Sequence, residues 1–282
     1  MNQLYKTNLF FTNKITKIDD IKQIVDYFYN RGYLKIGTNE DELHQICNIK
    51  DQQLKELSND FFIIKNRNEF VSIGYNLQNC NNLHSLTCNI KISYKKTQIF
   101  FNELIDLLEN IGCNIIYGNF DLELVIEKRH WKFTKNSKGI TIQEPVGVSL
   151  YIDGIPAISY LNFFGKEYTD MIDKKKLLTC PVPEKYEFQS GVIIKSRDNI
   201  SQRTIIDERL EQKIIDYLGK EYFWQPPNIK ATKFPKIDWG LNQKTIKNND
   251  GVIRTDENSE LQKEIINNAK LCIQLSKQEF GI

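Results

Sequence analysis

The sequence has no CxxC pair, no long apolar run, and only three histidines among 282 residues. Each absence removes a class of protein. Six cysteines (Cys47, Cys80, Cys88, Cys113, Cys180 and Cys272) without paired spacing are expected as reduced thiols, mostly buried. The N-terminal stretch MNQLYKTNLFFTNKITKIDD has no extended apolar core and no small-residue cleavage site, so no signal peptide is expected. No segment approaches the roughly 18 apolar residues of a spanning helix, so no membrane association is expected and the cytoplasm is the expected compartment. There is no P-loop, no G-x-G-x-x-G after a strand, and no G-x-S-x-G elbow. Gly139, Gly147, Gly154 and Gly165 are dispersed turn glycines. No cofactor is expected.

What is present describes an ordinary folded protein. Apolar residues make up 40% and charged residues 26%, enough apolar matter for a sizeable core. The net charge is +2 with basic residues scattered, so nucleic-acid binding is not expected from the overall balance. The firmest pattern lies at 87–127. In TCNIKISY, Cys88, Ile90, Ile92 and Tyr94 alternate with polar residues, as in a strand with one buried face. Phe100, Leu104, Leu107, Leu108 and Ile111 form one helical stripe after Thr97, and Gly112 stands where a left-handed C-cap belongs. CNIIYGNF and LELVIE then read as two further strands, giving β-α-β-β.

Upstream, residues 8–13 read as a short strand. A helix capped by Asp19 or Asp20 follows, with Ile21, Ile24, Val25 and Phe28 on its apolar face, and YLKIG reads as a strand. DFFIIKN and EFVSIGYNL pair around Asn66-Arg67-Asn68. Downstream, 128–145 is a polar excursion of loop or hairpin character, and GVSLYIDG alternates as a strand. Residues 155–172 fit either a helix interrupted at Gly165 or a strand, a turn and a helix. Pro181 and Pro183 predict an extended path, and GVIIKS a strand. Ile206, Leu210, Ile214 and Leu218 predict a helix ending at Gly219, followed by a last strand, EYFW. The 226–256 stretch lacks periodicity, and a helix is expected at about 257–278. The expected fold is α+β: a mostly antiparallel sheet with β-α-β-β, ferredoxin-like units, helices on one face and an extra C-terminal helix. The expected division is 1–78, 79–225 and 226–282.

Cys80, His84 and Cys88 fall at C-x3-H-x3-C, with His44 and Cys47 upstream, as a candidate metal set. The competing reading puts Cys88 in a strand's apolar face. His130, Glu144 and Asp153 are the groups an unrecognised hydrolase would use. In KRHWKFTKNSK, cations surround Trp131 and Phe133. A solvated basic loop explains this, and so does a surface for a protein partner. The expected partner-binding residues are Arg129, Trp131, Lys132 and Phe133, with Trp239 in the second irregular stretch.

Residues 155–194 and the closing LGKEYFW (218–224) resemble bacterial immunity proteins of polymorphic-toxin and type VI secretion systems. The matching pieces are Tyr160-Leu161, Phe163-Phe164-Gly165, Glu167, Leu177-Leu178, Pro181 and Gly191-Val192-Ile193-Ile194. Where that pattern carries a tryptophan, this chain has Tyr160. The resemblance covers about a quarter of the chain and leaves residues 1–78 and 226–282 unmatched. It implies an antitoxin that binds and occludes a secreted toxin or effector without catalysis. An inhibitor of a host defence enzyme would follow the same physics.

Overall fold

Two neighbours flank β1 (Gln3–Phe11), one on each side, and the rest of the sheet is built outward from them. The strands in chain order are β2 (Lys35–Gly37), β3 (His44–Gln45), β4 (Phe62–Asn66), β5 (Glu69–Gly74), β6 (His84–Ile92), β7 (Ile115–Leu122), β8 (Trp131–Lys135), β9 (Thr141–Pro145), β10 (Leu161–Gly165), β11 (Glu184–Phe188) and β12 (Gly191–Lys195). Two short strands, β13 (Thr245–Lys247) and β14 (Ile253–Thr255), pair only with each other. The computed structural model describes residues 3–38, 41–57, 61–67, 69–77, 81–123, 125–126, 131–135, 141–145, 154–155, 157–200, 205–223, 231–238, 245–247 and 253–255. Ten strands form one sheet in the order β11-β12-β10-β7-β1-β6-β5-β4-β2-β3, every pairing antiparallel. The α+β, mostly antiparallel reading of the sequence is what the protein adopts.

Accompanying the sheet are α1 (Ile18–Tyr29), α2 (Asp51–Leu57), α3 (Thr97–Asn110), α4 (Lys166–Ile172), α5 (Lys174–Leu178) and α6 (Ile205–Leu218), besides a short helical stretch after β7. They lie on both faces, not on one. Phe163 and Ile193 belong to the core that α1, α2 and α3 cover, whereas Phe164, Val192 and Ile194 belong to the core under α4, α5 and α6. Adjacent strand residues point to opposite faces, so the two cores sandwich the sheet. The α1 stripe is the expected one, Ile21, Ile24, Val25 and Phe28, all buried. It begins one turn earlier than expected, with Asp19 and Asp20 inside its first turn.

The 87–127 unit is β-α-β, not β-α-β-β. β7 is a single strand through Leu122, and Glu123, Val125 and Ile126 are helical. Val125 and Ile126 are both buried, which a strand with one wet face does not allow. β6 and β7 both run antiparallel to β1, so they are parallel to each other with β1 between them. α3 makes the crossover that parallel strands require. It stops at Gly112, φ +82, where the Cys113 N–H reaches the Leu108 carbonyl at 2.9 Å.

β10 and α4 settle the ambiguous 155–172 stretch as a strand running straight into a helix at Gly165. A Cβ there would lie 2.0 Å from the Ile115 carbonyl oxygen, so only glycine permits this approach to β7. The expected extended run before Pro181 is instead helix α5. The last strand expected at EYFW is a 3-10 turn, Lys220–Tyr222, with a single parallel bridge from Phe223 to Ile155. Strands from both sides of residue 78 share the one sheet, since β1 sits between β6 and β7. The expected strand at 147–153 and the C-terminal helix lie outside the described residues.

Candidate partner-binding surface

The polar excursion after β7 is an antiparallel ribbon of its own, β8 paired with β9 and joined to no other strand. Its register sets residue 131 opposite Pro145, Lys132 opposite Glu144, and Phe133 opposite Gln143. Alternation therefore puts positions 131 and 133 on one face of the ribbon and position 132 on the other. Three of the five sequence-predicted residues, Trp131, Lys132 and Phe133, are thus gathered on one strand. Arg129 and Trp239 lie outside the described residues, as do His130 and Asp153 of the hydrolase reading. The segment leading to Trp239 is anchored to the body of the protein. Ile237 is buried under α6, the Asn82 Nδ2 donates to the Asp238 carbonyl at 3.1 Å, and the Lys233 ammonium meets Glu221 at 3.2 Å.

Among the described residues no group of three His, Cys, Asp or Glu side chains could hold an ion. Cys80 lies outside them. His44 and Cys47 are exposed at the sheet edge, whereas Cys88 is fully buried, with its thiol pushed well above the ordinary range by burial. Cys180 is also buried, as expected of these thiols, its pKa raised to about 11 by burial.

His84 is a core residue. Its ring packs 5.6 Å from Phe11 and 5.4 Å from Tyr75, and its Nδ1 accepts the Asn76 N–H at 3.2 Å. An accepting Nδ1 carries no proton. Burial first, then the charge of Lys14, pushes the pKa down to about 4. In the unfolded chain it is about 6.5, so between these values the unfolded state takes up a proton that the folded state refuses. Stability is full above about pH 6.5 and falls as pH drops towards about 4, by up to about 3 kcal/mol from this group. Urea unfolding at pH 7 and pH 4.5 is expected to show a loss in the native protein about 2 kcal/mol larger than in His84→Gln. Equal losses would contradict the assignment.

A buried charge network, marked by no local pattern, lies on the face opposite α1–α3. Arg197 donates through Nη2 to Asp121 and lies 3.5 Å through Nη1 from Glu211 of α6. All three side chains are under one-tenth exposed. Asp121 also accepts the Leu122 N–H at 2.8 Å and the Tyr160 N–H at 3.0 Å. The guanidinium lies 5.5 Å over the Tyr160 ring. Next to it a polar row crosses four strands: Thr87 donates to Asn8, Asn8 to Asn119, and Asn162 sits opposite Asn119, accepting from Tyr117. Glu123 is half-buried and accepts from Asn89 at 2.6 Å. Both Asp121 oxygens are occupied by N–H donors, and the network clasps α6 to the sheet.

No helix among the described residues is long and apolar enough to cross a membrane. No protein-family model matches the chain, and no curated protein does. Among solved structures the chain is similar to the Pseudomonas aeruginosa T6SS protein PA0821, with 13% sequence identity and a TM-score of 0.53. The match spans 84% of this chain and 81% of that one. Over most of its length, this chain shares its fold with a protein of a type VI secretion system.

Proposed function

We propose that the chain is an immunity protein: a non-enzymatic antitoxin, acting in the cytoplasm, that neutralises a cognate effector by covering its active surface. The observation that carries this reading is the fold likeness to a T6SS protein across 84% of the chain. The resemblance of residues 155–224 to immunity proteins points the same way. An aromatic and basic ribbon of this kind is a surface where binding residues concentrate. The ribbon residues Trp131, Lys132 and Phe133, with Arg129 before them and Trp239 on the second irregular stretch, form the contact set in this reading.

The test is growth. Cells producing the toxin encoded beside this chain's gene are expected to recover when the chain is co-produced. Persistent killing at full expression of a folded chain would refute the reading. Replacing Trp131 and Lys132 together by alanine is expected to raise the Kd for that toxin by at least about 30-fold, the size of one interface hot spot. An unchanged Kd would remove the ribbon from the interface.

A further inference from the structure

The chain leaves the sheet after Leu122 and re-enters it at Leu161, on the neighbouring strand, so the β8–β9 ribbon belongs to an insertion between β7 and β10. Both ends of that insertion meet at one carboxylate. Asp121 accepts the departing Leu122 N–H at 2.8 Å through Oδ1 and the returning Tyr160 N–H at 3.0 Å through Oδ2. The return is held again by Asn162, whose side chain accepts the Ser159 N–H and donates to the Ser159 carbonyl, both at 2.8 Å. On the departing side the next residue is Glu123, and it is held from β6: the Asn89 Nδ2 donates to its Oε1 at 2.6 Å. In register Asn89 stands opposite Lys6 of β1, and Lys6 opposite Asp121, so the three share one row and one face of the sheet.

Folding alone does not explain an asparagine at this position. Asn89 is 6% exposed, and its Oδ1 is buried with no hydrogen-bond partner. A buried amide with its acceptor unmet is less stable than an apolar side chain of similar size. Its one bond adds little in return, because the Glu123 carboxylate is half-buried and water can replace the amide. A residue that breaks a local rule without a gain in stability marks a functional position. What Asn89 holds is the first residue beyond β7, on the segment that leads into Trp131, Lys132 and Phe133.

We infer that Asn89 is a positioning residue for partner binding: by holding Glu123 it sets the direction in which the chain departs towards β8. This rests on the immunity reading above, with the ribbon as the contact surface. Asn89 is buried and does not itself reach the partner. Without its hold the return of the insertion stays fixed by Asp121 and Asn162, whereas the departing side keeps only the Leu122 N–H bond. Binding must then order that segment as well, and the ordering is subtracted from affinity.

The experiment measures the melting temperature of the full chain and its Kd for a catalytically inactive form of the toxin encoded beside its gene. Three proteins are compared: the native chain, Asn89→Leu and Glu123→Gln. Asn89→Leu is expected to melt at the native temperature or above it, and to bind about tenfold more weakly. Its amide hydrogen exchange is expected to quicken at 123–126 and to stay native in β1 and β6. Glu123→Gln is expected to bind as the native chain does, because a glutamine oxygen still accepts from the Asn89 amide. An unchanged Kd for Asn89→Leu would overturn the positioning role and leave the immunity reading standing. Weaker binding together with a lower melting temperature would assign Asn89 to the fold itself and overturn the role as well. Glu123→Gln binding as weakly as Asn89→Leu would make the carboxylate charge a partner contact in its own right, which also contradicts the proposal. No binding by the native chain would overturn both readings.

Discussion

Arg197→Met is expected to lower the unfolding free energy by about 3–5 kcal/mol, measured by chemical denaturation near neutral pH. The cost does not come from the lost ion pairs alone. Asp121 is fully buried and Glu211 nearly so, and both would be left facing each other without the guanidinium that lies between them. Two like charges in a dry site cannot both stay ionised without a large penalty. Arg197→Lys should recover only part of the loss, because an ammonium cannot span two acids with two separate nitrogens as the planar fork does. A loss below about 1 kcal/mol for Arg197→Met would show that the clasp is not what fixes α6 to the sheet.

Phe120→Ala is expected to cost about 3–5 kcal/mol by the same measurement. Phe120 is fully buried on β7 and stacks on Tyr5 of β1 with ring centroids 5.6 Å apart. It also meets Phe101 of α3 edge-on at 6.0 Å. One side chain thus ties the crossover helix to both central strands. Truncation removes its apolar surface from burial and leaves a cavity that three different elements would have to move to fill. Ile99→Ala on the outer side of the same helix is the control, expected to change stability by less than about 0.5 kcal/mol.

Local elements were legible in the sequence where the signal is local. The α1 stripe, the Gly112 cap, the hairpin through Asn66-Arg67 and the GVIIK strand depend on spacing within a dozen residues, and each is where the pattern puts it. What the pattern does not carry is partner choice. Nothing in TCNIKISY or CNIIYGNF says that a strand from residues 3–11 inserts between them, because strand pairing is a long-range choice made by the whole core. LELVIE reads as a strand because its apolar residues alternate. It turns helical because both Val125 and Ile126 find burial once the chain leaves the sheet. The Asp121–Arg197 clasp joins residues 76 apart. Arg197 follows a strand and looks like an ordinary solvated end, and Asp121 looks like an ordinary polar position on a half-buried strand. Only the fold brings them together. Of the candidate site, aromatic and basic interleaving marked the ribbon that forms β8.

The occlusion mechanism makes a claim about stoichiometry. Titrating the purified chain into the purified active toxin, and following toxin turnover, is expected to give activity that falls linearly to zero at one chain per toxin. The toxin should be recovered unaltered and active after the complex is dissociated. Full toxin activity at a large excess of folded chain would contradict the account, as would inactivation by a substoichiometric amount that leaves the toxin chemically changed.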